Sequence, residues 1–181
     1  CKIDFSKDTT LFVGANNSGK TSAMDALGKF LAGRPFVFND FTISNRELIN
    51  KIGAQWEITD CEKPESISNW SNLLPAMDVW LDVALQDIHH VVSIIPTLDW
   101  RGGLLGVRLL FQPQKIETLF TEYREAFFAA RETEKKNPGK EAIQLFPKNL
   151  CDFLERKLST YFTIKSYILD PSKAAAPSPQ E

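Results

Sequence analysis

Apolar and polar positions along the 181-residue chain follow two periods, one near two residues and one near 3.6, and the switches between them mark the elements. Lys2-Ile3-Asp4-Phe5 alternates, and Ser6-Lys7-Asp8 turns the chain into Thr10-Leu11-Phe12-Val13, the β-branched, apolar run of a buried strand. A β-hairpin is therefore expected before residue 14. Beyond residue 20 the period lengthens. Ala23, Met24, Ala26, Leu27, Phe30 and Leu31 recur at helical spacing, and Gly33 with Pro35 predicts the stop. Phe36, Val37, Phe38 and Phe41 form an apolar connector. Ser44-x-x-Glu47 is the signature of a capping box, opening a short polar helix to about Lys51, on which Arg46 is expected to be solvated or ion-paired.

Residues 59–75, with Pro64, Pro75 and several Ser and Asn, are expected to be loop with a short helix. Two strands follow, each with one face buried: 77–85, whose odd positions are uniformly apolar, and 104–111, where Arg108 points away from Val107 and Leu109. Trp100-Arg101-Gly102-Gly103 is a tight bend between them. From Gln114 to Lys136 a long amphipathic helix places Leu119, Tyr123, Phe127 and Ala130 on one face, with Phe120 and Phe128 widening the stripe. Asn137-Pro138-Gly139 ends it. A helix over about 147–158, with Leu150, Phe153, Leu154 and Leu158 inward, and a strand from Thr160 to Leu169 complete the pattern. The small, Pro-rich stretch 171–181 is expected to be a flexible tail or linker after a domain spanning 1–170.

The junction between the first strand and the first helix carries the chemistry. Gly14-Ala15-Asn16-Asn17-Ser18-Gly19-Lys20-Thr21 fits G-x-x-x-x-G-K-[ST], the phosphate-binding loop of P-loop nucleotidases, and it sits between a strand and a helix as that loop requires. Gly14 and Gly19 allow the backbone to bend and approach a ligand. Asn16 and Asn17 tolerate positive φ. Successive N–H groups from Asn16 through Ser18 to Thr21, with Ser22 next along the helix, form an anion nest at a helix N-terminus. Lys20 places an ammonium on the β- and γ-phosphates, and the Thr21 hydroxyl is a ligand for Mg²⁺. ATP and Mg²⁺ are thus the expected cofactors.

The stretch TTLFVGANNSGKTSAMDAL resembles the Walker A region of the OLD (overcoming lysogenization defect) ATPases, relatives of the SMC and RecF branch of ABC-type ATPases. The runs LDWRGGLLGVRLLFQP and YFTIKSYILDP resemble the first lobe of the same ATPase domain. The resemblance implies an α/β P-loop NTPase. Its form is an ABC-ATPase-like N-terminal lobe, with a mainly antiparallel sheet beside the P-loop strand and helix. It further implies a head that forms a homodimer around ATP, DNA as a partner of the full-length protein, and a TOPRIM nuclease domain beyond the ATPase domain, so that the parent is an ATP-dependent endonuclease in DNA processing, repair or phage defence. The TOPRIM carboxylate motifs are not visible in these residues, and the chain, which opens inside an apparent strand, is expected to be a fragment of a longer protein. The alternatives are a RecF- or SMC-like repair ATPase without nuclease, a P-loop small-molecule kinase, and an interaction module with a decayed loop. An Arg-rich lid, which a kinase needs, is not apparent, and the intact Lys20-Thr21 pair argues against decay.

Composition narrows the picture further. A net charge of −2 and a pI near 5.8 exclude a surface that holds polyanions by total charge. Cys1, Cys61 and Cys151 lack C-x-x-C spacing and His partners, so free thiols in a reducing cytoplasm are expected rather than a zinc site. An 18-residue apolar run is missing, so no membrane span is expected. His89-His90, being adjacent, should face different directions and not chelate one ion. Two segments imitate a Walker B strand: Val79-Trp80-Leu81-Asp82, spoiled by Asp78 on the same face, and Tyr167-Ile168-Leu169-Asp170, followed at once by Pro171. No catalytic residue is assigned, and Gln86, Gln112 and Gln114 are weak candidates for a glutamine that senses Mg²⁺.

Overall fold

The computed structural model describes residues 2–6, 9–15, 18–58, 63–64, 66–95, 97, 99–136 and 146–169. It divides into two units, Cys1–Pro35 and Phe36–Glu181.

The first unit holds helix α1 (Lys20–Leu31). Lys7 and Asp8, on which the expected turn falls, lie outside the described residues, and the segments on either side of them are in contact. Ser6 N donates to Thr10 Oγ1 at 2.8 Å, Ser6 Oγ donates to the Thr9 carbonyl, and the rings of Phe5 and Phe12 meet edge-on at 6.3 Å. The hairpin itself is corrected: no strand is assigned over residues 2–6 or 9–15, and Leu11 and Val13 are about four-fifths exposed. A strand buried on both faces needs packed layers over both, and among the described residues of the first unit α1 is the one regular element. On α1, Lys29 is buried and meets Asp25 one turn earlier at 2.7 Å.

The second unit runs α2 (Ile43–Trp56), β1 (Ala76–Val83), β2 (Gly103–Pro113), α3 (Ile116–Lys136), α4 (Leu150–Tyr161) and β3 (Phe162–Leu169). The sheet order is β1-β2-β3, both pairs antiparallel, so the two strands read from alternation pair as neighbours. Trp80 stands opposite Gly106, where a Cβ would lie 2.4 Å from the indole ring, so only glycine leaves the ring its seat. Asp78 stands opposite Arg108, and the guanidinium takes both carboxylate oxygens at 2.7 Å. That hydrogen-bonded carboxylate raises the Arg108 pKa further. The bend before β2 is made by Gly102 and Gly103, both at φ near +100°.

Three expectations shift at the helices. Helix α2 starts after Thr42, without a side-chain cap from Ser44, and continues past Lys51 to Trp56. It continues because Ile49, Ile52, Gly53 and Trp56 keep the helical stripe buried, with Gly53 so close to α4 that a Cβ would sit 2.5 Å from that of Leu150. Arg46 is half-buried and tied to neutral acceptors: it donates to the Phe41 carbonyl and to Asn39 Oδ1, both at 3.2 Å, and lies over the Phe38 ring. Helix α4 begins at Leu150 rather than 147, behind a reciprocal cap in which Asn149 Oδ1 accepts from Asp152 N and Asp152 accepts from Lys148 N, both at 2.9 Å. It runs to Tyr161, whose phenol donates to Glu122 on α3, so β3 starts at Phe162 rather than Thr160. Asn137-Pro138-Gly139, Asp170 and the stretch 171–181 lie outside the described residues, as do Cys1 and Cys61.

The core between helices and sheet is aromatic. Trp56 and Trp70 stack at 5.5 Å, Phe120 meets Trp56 edge-on, and Tyr123 packs against Phe127 and Phe153. Arg124 of α3 reaches across to the carbonyls of Trp56 and Ile58, satisfying acceptors that the end of α2 leaves open. A second cluster, Val83, Val91 and Leu105, is packed by Ile94, Ile95 and Trp100.

Cys151 sits in this framework, its S–H donating to the Arg46 carbonyl at 3.2 Å. Burial pushes its pKa up from 9.0 to about 11, opposed by the Arg46 charge. At pH 8 the thiolate is then roughly one part in a thousand, so iodoacetamide should label Cys151 about a hundred times more slowly than an ordinary thiol, as peptide mapping of the native chain would show. Because the folded pKa is the higher one, the stabilisation from a neutral thiol is complete below pH 9 and is lost between about pH 9 and pH 11.

Candidate functional site

The expected loop lies in the first unit, and the structure describes Gly14, Ala15, Ser18, Gly19, Lys20, Thr21 and Ser22; Asn16 and Asn17 lie outside the described residues. Gly19 is the N-cap of α1 at φ +82°, ψ 4°, a left-handed conformation that costs an L side chain about 1–2 kcal/mol. Its carbonyl accepts the first intrahelical bond, from Ala23 N at 2.9 Å. The amides of Lys20, Thr21 and Ser22 therefore have no partner within the helix. No side chain caps this end and its first turn holds no acid. A cap of Ser, Thr, Asp or Asn contributes about 0.5–2 kcal/mol, so this helix end is left open where most are closed.

Lys20 bends back over the loop. Its ammonium donates to the Gly14 carbonyl, to the Ala15 carbonyl at 2.6 Å and to Ser18 Oγ at 3.1 Å. Ser18 N donates to the Ala15 carbonyl at 3.3 Å, so the loop closes on itself beneath the ammonium. At Gly14 an added Cβ would lie 2.8 Å from Ser18 Oγ and 3.8 Å from Lys20 Nζ. A side chain at this position would require the Ser18 hydroxyl to turn away. Thr21 and Ser22 follow on α1 and are exposed. An open helix end, a cation held at its mouth by backbone oxygens and a closed glycine turn fit an oxyanion such as phosphate. A carbonyl-held ammonium and a neutral helix start would fit a cation poorly.

Other sequence candidates are placed elsewhere. The rings of His89 and His90 lie 3.9 Å apart rather than facing different ways, in an exposed 3-10 turn, with His89 Nδ1 2.9 Å from the Gln86 carbonyl. Among the described residues, no three His, Cys, Asp or Glu side chains form a metal cluster. Gln112 is buried and accepts from the Tyr167 hydroxyl at 2.9 Å; Gln86 and Gln114 are exposed. Asp82 lies on β1, an edge strand of an antiparallel sheet, opposite Leu104, and Asp78 on the same strand is engaged by Arg108. The fold that Lys20 makes onto Gly14 and Ala15 was beyond sequence reasoning, since nothing in the motif names the carbonyls that its ammonium meets.

No helix among the described residues is long and apolar enough to cross a membrane. Neither a curated protein nor a solved structure matches the chain. The family profile described as AAA ATPase domain matches residues 1–174, a span that takes in the loop, α1 and the whole of the sheet. With the Gly14–Thr21 loop at the mouth of an uncapped helix inside that match, the chain belongs to the AAA ATPase domain family, P-loop NTPases that bind ATP and typically Mg²⁺.

Proposed function

We propose that the chain is the nucleotide-binding N-terminal lobe, over residues 1–170, of an OLD-type ATPase, in which Mg·ATP binding by a dimer of heads serves DNA processing or phage defence. The observation that carries the nucleotide part is the uncapped start of α1 with the Lys20 ammonium held at its mouth. In this reading Gly14, Asn16, Asn17, Ser18 and Gly19 shape the cradle. Lys20 neutralises phosphate charge, Thr21 offers its hydroxyl to Mg²⁺, and Ser22 contributes its amide. Bound Mg·ATP supplies the phosphoryl group and the cation that offsets its charge; the chain binds and orients it. The antiparallel β1-β2-β3 sheet supports an ABC-type lobe over a kinase-like core, in which the strand bearing Asp82 would be parallel and buried on both faces.

Titration calorimetry tests the assignment. ATP should bind more tightly with Mg²⁺ than without, and Thr21→Ala should remove most of that difference while leaving the metal-free affinity within about threefold. An affinity indifferent to Mg²⁺ in the wild-type chain would remove Thr21 from its role. Steady-state turnover of ATP by this chain should be negligible, because both Walker B-like segments depart from that motif, one at Asp78 and the other at Pro171; brisk turnover that Asp82→Asn abolishes would overturn the ABC-type reading.

A further inference from the structure

A cavity of about 490 Å³ opens in the second unit where the C-terminal end of β2, the start of α3 and β3 meet. Among the described residues its wall includes the ammonium groups of Lys115 and Lys165 and the carboxylate of Glu117. Lys165 Nζ reaches the Gln114 carbonyl at 3.5 Å, which holds that cation at the rim. The first intrahelical bond of α3 runs from Leu119 N to the Lys115 carbonyl at 3.3 Å, so the amides of Ile116, Glu117 and Thr118 lie ahead of the hydrogen-bond ladder.

Gln112 is the independent observation. It lines the cavity, is 2% exposed, and accepts from the Tyr167 hydroxyl through Oε1. Among the described residues its carboxamide N–H groups have no partner, yet they are not sealed from solvent as the Trp56 and Trp70 indole nitrogens are. Buried amide donors are almost always paired, and one left open onto a lysine-lined cavity wants an acceptor. A buried donor open to a cavity with ammonium groups on its wall calls for an anion. The space suits a group larger than a single phosphate.

We propose that this cavity binds a phosphate-bearing ligand by its oxyanions, with the Gln112 amide and the open start of α3 donating and Lys115 and Lys165 neutralising. It is a second phosphate site on the chain and does not rest on the nucleotide reading of the Gly14–Thr21 loop. Two sources share this chemistry: a small phosphorylated molecule and the backbone of a single nucleic-acid strand. On the second, the exposed ring of Tyr167 adds a surface for a base.

The test uses the full chain carrying Lys20→Ala, so that the loop contributes nothing. Inorganic pyrophosphate and a short oligothymidylate are titrated at two salt concentrations, with and without the pair Lys115→Ala and Lys165→Ala. Both lysines are exposed, so the pair should fold as the parent does. The expected result is binding that weakens about tenfold or more in the double variant, with a shallower salt dependence, by about one unit of slope per lysine. Tighter binding of the oligonucleotide assigns the site to a nucleic-acid backbone; equal or tighter binding of pyrophosphate assigns it to a free phosphorylated molecule. Gln112→Glu, which sets a carboxylate in the cavity, should abolish binding of either. Absence of binding by both probes, or binding that the lysine pair leaves unchanged, overturns the proposal.

Discussion

Lys20→Met is expected to weaken ATP binding by roughly 30-fold to several thousand-fold, the equivalent of about 2–5 kcal/mol for a charged partner removed from a paired site. The side chain has two tasks that Met cannot share. It carries the positive charge at the mouth of an otherwise uncapped helix, and it ties the Gly14 and Ala15 carbonyls to Ser18. The Met side chain matches the stem and supplies neither. All three of its acceptors are exposed, so water replaces the ammonium and the stability of the fold should change by less than about 1 kcal/mol. Calorimetric titration of the folded variant decides the matter, and an unchanged affinity would refute the assignment of the loop.

The largest effect on stability is expected from Trp56→Ala, about 3–5 kcal/mol in a urea unfolding experiment. Trp56 is 1% exposed, stacked on Trp70 and flanked by Phe120 and Tyr123, so truncation leaves a void bordered by rings that cannot collapse into it. Trp56→Phe separates packing from hydrogen bonding. Among the described residues the Trp56 indole N–H has no partner, so removing it forfeits no bond there and relieves a desolvated donor. The Phe variant should therefore lose only volume, about 1–2 kcal/mol. Equal losses for Phe and Ala would show that the N–H is doing something the stacked geometry does not reveal.

Where the sequence was legible, a single physical cause dominated. The apolar stripe Leu119, Tyr123, Phe127 and Ala130 is the buried face of α3, and the alternation in 77–85 and 104–111 marks two neighbouring antiparallel strands, although the first ends at Val83 and Leu85 opens an exposed 3-10 turn. The loop motif sits at the start of a helix with Gly19 in the conformation its type suggests. Where several causes compete, the reading slipped. Ser44 and Glu47 have the spacing of a cap, but the buried contacts of Ile49, Ile52, Gly53 and Trp56 set the helix, and Thr42 became its N-cap. The cap that does form, Asn149 with Asp152, has Asp in place of the usual Glu and was passed over. Arg46 looked like a surface charge because its acceptors, a backbone carbonyl and an amide oxygen, leave no trace in charge patterning. The strand at 10–13 failed for a different reason: apolar content announces a wish for burial and cannot name the neighbours that grant it.

The four tryptophans, at 56, 70, 80 and 100, all belong to the unit that begins at Phe36. Intrinsic fluorescence is therefore a one-sided reporter. Two dry, stacked indoles will dominate the emission and shift it to the blue, and their loss will trace the melting of the aromatic core with a large signal. The loop and α1 contribute no indole, so an emission curve can stay flat while residues 1–35 rearrange. A silent fluorescence titration with nucleotide is thus no evidence against binding at Lys20, and a dye placed on that unit is the optical probe the nucleotide question requires.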